Sequence, residues 1–132
     1  MIYHNIYHIM QIEQSIIDKI QIDNEIIENN NTYFQTVLNN INKYYQNMLL
    51  FDDLNSLELY QELINKVQSI NQLIKYWDKY IKSNKSINIE CLDIHKQICK
   101  MIITFKEHKT KCLDLQNILY SLRRNYFNEQ KK

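Results

Sequence analysis

The feature that most restricts this chain is a hydrophobic repeat that keeps one register through its first fifty residues. Ile6, Ile9, Glu13, Ile16, Ile20, Asp23, Ile27, Asn30, Phe34, Val37, Ile41, Tyr44 and Met48 follow one another at alternating spacings of three and four. That alternation lines the side chains along one seam of an α-helix and suits coiled-coil-like packing against a neighbour. Ile12, Ile17, Ile26, Leu38 and Tyr45 widen the stripe. Asn29–Asn31 has the composition of a loop, and Thr32 with Gln35 matches a capping box. The register passes through unbroken, so the expectation is one helix over about residues 4–50, ~65 Å long at the usual rise per residue.

Composition supports long helices. The chain has no Gly and no Pro, so it lacks both the residue that enters positive φ freely and the one that forces a helix to stop. It also has no Ala, the best helix former, so a folding preference is not what shaped the composition. The abundance of Ile, Asn, Lys and Tyr fits an AT-biased genome, as in reduced bacterial endosymbionts and some parasites or viruses. Individual Asn, Lys and Tyr residues are correspondingly less informative.

Beyond the first helix, Asp52 and Asp53 offer N-caps ahead of Leu54. A second helix over about 54–82 follows, with Leu57, Tyr60, Ile64, Val67, Ile70, Ile74, Trp77 and Ile81 on one side. The polar stretch Lys82–Asn88 is the expected loop, with Ser86 or Asn88 capping a third helix over about 88–127. That helix has its own seam: Cys91, Ile94, Ile98, Ile102, Phe105, His108, Cys112, Leu115, Leu119, Leu122 and Tyr126. The 132 residues suffice for one domain. The expected fold is all-α, an elongated antiparallel hairpin or three-helix bundle with coiled-coil-like packing.

The formal charge of +1 hides a division. Residues 1–65 carry nine acids and two bases, and residues 66–132 carry six acids and fourteen bases. Packing of an acidic first helix on a basic last helix would account for this, more economically than a polyanionic partner. The opening Met1–Ile6 has neither a basic leader nor a small-residue cleavage site, and no run of ~18 apolar residues occurs. Three Cys without CxxC spacing do not form a disulfide framework. A cytoplasmic protein without membrane insertion is expected.

Few residues have the spacing of chemistry. Cys91, His95 and Cys99 share a helix face, and His108 and Cys112 repeat the i, i+4 interval, as do His4 and His8. Cys91 and Cys99 would lie ~12 Å apart along the axis, too far to share an ion held at ~2.3 Å. All three cysteines fall on or beside the seam, where a thiol packs as a small hydrophobe. Asp52–Asp53 is explained by capping, and without Gly there is no phosphate-cradling loop. No catalytic residue, metal site or cofactor is therefore expected. Lys75, Lys79, Lys82 and Lys85 interleave with Tyr76, Trp77 and Tyr80 as in a nucleic-acid stacking site. Trp77 also belongs to the seam and no DNA-binding motif accompanies it, so no nucleic-acid partner is expected. The last helix carries Leu113, Ile118 and Phe127 outside its seam. Apolar residues on a second face need a second cover, which is either a partner's amphipathic helix or the first helix lying over both faces.

The layout resembles a known family. A long helix, then Asp53-Leu54-Asn55-Ser56-Leu57-Glu58-Leu59-Tyr60-Gln61-Glu62-Leu63-Ile64, then a polar break, then a helix bearing Phe105-Lys106-Glu107-His108-Lys109-Thr110-Lys111-Cys112-Leu113-Asp114-Leu115-Gln116-Asn117 is similar to the FlgN type of flagellar export chaperone. In that family a polar turn of the last helix precedes two apolar residues and an amphipathic C-terminal run. Cys112-Leu113 and Leu115 through Phe127 occupy those places. The resemblance implies a cytoplasmic chaperone of hook–filament junction proteins. Such a chaperone binds the helical C-terminal segment of its client, prevents premature assembly and delivers the client to the export apparatus. It places the client surface on Leu113, Leu115, Ile118, Leu119, Leu122, Arg123, Tyr126 and Phe127. Arg123 and Arg124 beside that surface suit an acidic client helix. This reading expects a monomer. A structural coiled-coil adaptor, the other reading, expects oligomerisation through the seam of the first helix.

Overall fold

Along most of the repeat, as far as Tyr45, the chain is helical. The computed structural model describes the backbone of residues 2–83 and 92–131 and the side chains of residues 14–83 and 92–131. Helix α1 spans Ile2–Tyr45, a single turn α2 spans Phe51–Leu54, α3 spans Ser56–Ser83 and α4 spans Leu92–Gln130. Helix α1 is continuous through Asn29–Asn31, and Thr32 Oγ1 donates to the Glu28 carbonyl at 3.2 Å, one turn back, instead of capping a new helix. Asp23 meets Trp77 while Asn30 meets Lys66, so α3 runs antiparallel to α1. Phe34 lies against His108, and Tyr44 reaches Tyr126 through Phe51, so α4 runs parallel to α1. Helices α3 and α4 pack most closely, with α1 laid along the pair. The all-α three-helix bundle expected from the seams is the observed fold.

The seam of α1 is buried as its spacing requires. Ile20, Phe34, Val37 and Ile41 are core residues, with Ile16, Ile27 and Tyr44 half-buried beside them. The two described polar seam positions are buried as well, and each has a partner on α3. Trp77 Nε1 donates to Asp23 Oδ2 at 2.7 Å, and Lys19 Nζ reaches the same oxygen at 3.1 Å. Lys66 Nζ donates to Asn30 Oδ1 at 3.1 Å and lies 4.6 Å from the centre of the Tyr33 ring. Buried polar groups in a seam stabilise one register, because any slip would leave them without partners. The α4 seam matches expectation from Ile98 through Leu122, and Met101 joins it.

Three expectations are corrected. The first helix ends at Tyr45, five residues early, in a Schellman turn: Asn47 sits at φ 60°, Met48 N–H bonds to the Lys43 carbonyl and Asn47 N–H to the Tyr44 carbonyl. Met48 therefore leaves the seam and is exposed. Asp52 and Asp53 are not N-caps but lie inside α2, whose N-cap Leu50 makes no side-chain cap bond. On α3 the buried column is Ser56, Leu63, Ile70 and Trp77, seven apart, while the expected Leu57 faces solvent. The expected caps Ser86 and Asn88, with Lys85 and Cys91, lie outside the described residues, as do the side chains of His4, His8 and Glu13. Among the described residues the ion pair formed is Lys19–Asp23, within α1.

Candidate protein-binding surface

Two of the groups singled out by their spacing sit in the core. His108 and Cys112 face inward from α4 and are almost wholly buried. His108 Nδ1 has no hydrogen-bond partner among the described residues. Burial, then Lys111, holds its pKa below the ordinary histidine value, while Glu107 pulls the other way more weakly. Burial pushes the Cys112 thiol up to about 11 against a small opposing effect of Lys66. A neutral imidazole beside a neutral thiol is core packing, not a nucleophile and its base. His95 and Cys99 stand one turn apart, with Sγ 3.8 Å from Nδ1. No group of three metal-ligating side chains converges among the described residues. Asp52 and Asp53 are exposed on the α2 turn.

The basic–aromatic patch loses its centre. Trp77 is fully buried with its indole N–H bound to Asp23, so it offers no face to a base. Tyr76 is exposed, but Lys19 Nζ already lies 4.5 Å from its ring centre. Among the described residues no helix is long and apolar enough to cross a membrane.

The residues expected to hold a client separate into three groups. Leu115, Leu119 and Leu122 belong to the core between the helices and are not available as surface in this conformation. Ile118 and Tyr126 are half-buried against that core. Leu113 and Phe127 are exposed, and Arg123 is half-exposed with its guanidinium 5.0 Å from the centre of the Phe127 ring. Tyr120, absent from the expected set, is 59% exposed.

Leu113, Tyr120 and Phe127 are seven residues apart and so form one column along the outside of α4. Lys106, Lys109, Arg124 and Lys131 fall on the same side of the helix, whereas Asp93, Glu107, Asp114 and Glu129 point away from it. The outer face is thus apolar and purely cationic, on a helix whose total charge is mixed. The Lys106-x6-Leu113-x6-Tyr120-x6-Phe127 repeat was available in the sequence, but the stronger inner seam concealed it. A second feature lies between α1 and α4, where a groove of about 410 Å³ has Phe34, Leu38, Leu115 and Ile118 on its floor. Asn31, Gln35, Lys111 and Asp114 form its rim, with no net charge.

No family model, curated protein or solved structure matches the chain.

Proposed function

We propose that this protein is a non-enzymatic helix-binding module that docks a partner's acidic amphipathic helix on the outer face of α4. The observation that carries the reading is the column Leu113, Tyr120 and Phe127, exposed and with bases as its charged neighbours. A seven-residue repeat keeps apolar groups in line along a helix, and a second helix with the same period can match it knob for knob. A flat anionic bilayer needs a broader apolar face than a single column. In its specific form the proposal is a cytoplasmic chaperone of the FlgN type, guarding the helical C-terminal segment of a hook–filament junction protein for delivery to the export apparatus. The adaptor reading has less support, because it needs the α1 seam, which is already occupied by α3 and α4.

Calorimetric titration with designed amphipathic peptides tests the general reading. An acidic peptide should bind, and its charge-reversed counterpart should not. Leu113→Glu with Tyr120→Glu should weaken binding at least tenfold while the helical circular dichroism stays unchanged. Equal binding of both peptides, or no effect of the substitutions, would contradict docking on this face. Co-purification with a junction protein's C-terminal segment tests the specific reading, and failure there leaves only the general one.

A further inference from the structure

The outer column of α4 does not stop at Leu113. All five large apolar side chains exposed on this helix, Leu92, Ile103, Leu113, Tyr120 and Phe127, fall on one strip. Their separations of eleven, ten, seven and seven residues are sums of alternating fours and threes. The positions between them on the strip are Lys96, Cys99, Lys106, Thr110, Asn117 and Arg124, of which Cys99 is half-buried and the rest are exposed. Every charged member of the strip is therefore a base, and Asp93, Glu107, Asp114 and Glu129 lie off it. Isolated exposed apolar residues are ordinary on a protein surface and need no partner. Alignment over the ~53 Å from Leu92 to Phe127 is different. A face that meets only water gains nothing by holding its apolar residues in a 3/4 register.

We infer that this strip is a second coiled-coil seam running the length of α4, and that its occupant is one long acidic helix of about five heptads. The inference rests on the proposed docking at α4 and deepens it: the half from Leu92 to Lys106 joins the surface, which sets the partner's length. Charge selects the occupant. Lys96, Lys106 and Arg124 stand within the seam and not at its edge, so each needs a carboxylate opposite it. A second copy of α4 laid along the strip would bring three bases from each side into one seam, with no acid between them. A nucleic acid would meet the bases but leave Leu92, Ile103 and Leu113 without a use, since aliphatic side chains give no stacking platform. The three bases are ten and eighteen residues apart. A partner whose acids match that uneven spacing is held in one register, because a shift of one heptad would set bases against apolar residues.

A designed peptide as long as the strip tests it, with Leu or Ile opposite the apolar positions and Glu opposite the three bases. The pattern is made in both chain directions, and in calorimetric titration at least one of the two should bind the full chain. Leu92→Glu with Ile103→Glu, both at exposed positions, should weaken that binding at least tenfold with unchanged helical circular dichroism. In the unaltered protein the bound peptide should slow thiol labelling of Cys99 at least tenfold, read by peptide mass spectrometry. Binding that is lost in Leu113→Glu with Tyr120→Glu, yet indifferent to the Leu92 and Ile103 changes and without protection of Cys99, would overturn the long seam. Docking on the half from Lys106 to Phe127 would then still stand. No binding in either direction would overturn both. A single-stranded oligonucleotide bound through Lys96 and Lys106, with no dependence on Leu92 or Ile103, would overturn the inference in favour of a nucleic acid.

Discussion

Asp23 is a carboxylate placed at a seam position that the repeat would fill with Ile. It is 2% exposed and depends on two donors, the Trp77 indole at 2.7 Å and the Lys19 ammonium at 3.1 Å. Removing one partner of a buried charged group costs more than the bond itself contributes, because the remaining group keeps its desolvation penalty. Trp77→Phe preserves most of the ring volume and deletes the donor, so it should destabilise the fold by about 2–3 kcal/mol in urea unfolding. Asp23→Leu with Trp77→Phe should cost clearly less than the two single changes added together. Simple additivity would show that the bond contributes nothing to the register. His108 supplies a second residue-scale prediction. Burial holds its folded pKa below the unfolded value, so the unfolded chain binds the extra proton first as pH falls below ~6.5. The stability associated with its neutral form is complete above that pH and is lost on the way down to the folded pKa. Wild-type protein should therefore melt lower at pH 5 than at pH 7. His108→Leu should narrow that gap, and an undiminished gap would place the pH sensitivity elsewhere.

At the scale of elements, the reversal between α1 and α3 depends on two asparagines doing what glycine usually does. Asn47 and Asn55 have φ of 60° and 53°. A residue with a Cβ is strained there by roughly 1–2 kcal/mol, and Asn is the side chain that tolerates it best. Asn55→Ala should lower stability by about 1 kcal/mol, whereas Asn55→Gly should be nearly neutral, as measured by thermal unfolding. Equal effects of the two changes would show that the backbone relaxes out of this conformation. The same residues explain where the sequence was legible and where it was not. Periodicity located Ile20, Phe34, Val37 and Ile41, because a helix seam imposes the 3/4 spacing directly. It carried the helix too far, to residue 50, because Met48 fits the register and Asn47 is one Asn among many in this composition. The stop is a φ angle, and nothing in the pattern of apolar residues encodes it. On α4 the difficulty was the reverse. Leu115, Leu119 and Leu122 satisfy the inner seam, Leu113 and Phe127 the outer column, and both sets are apolar. Only the position of α1 and α3 decides which set is covered.

For the whole molecule, the close pairing of α3 with α4 and the looser seat of α1 imply an order of opening. Cys112 is a natural reporter of it. Its side chain is fully buried, near enough to Tyr33 of α1 to raise that phenol's pKa and near enough to Lys66 of α3 to feel its charge. With its pKa pushed up to about 11, the thiol is also unreactive for lack of thiolate, since only the deprotonated sulfur attacks a disulfide reagent. Both protections are lost together when α1 lifts away, even while α3 and α4 remain paired. Cys99, half-exposed near the start of α4, is open to reagent in the closed bundle. Pulsed thiol labelling read by peptide mass spectrometry should thus modify Cys99 quickly and Cys112 slowly at neutral pH. Val37→Ala removes two methyl groups from α1 at a site with no exposure, which should cost about 1–3 kcal/mol by leaving a cavity under that helix alone. The Cys112 labelling rate should then rise at least tenfold with little loss of helical signal. Ile98→Ala, which weakens the α3–α4 side, should raise Cys112 labelling only in step with global unfolding. If both substitutions accelerated labelling only in proportion to their effect on global stability, the bundle would open as one unit. Docking of a partner on α4 would then have to leave all three helices in place.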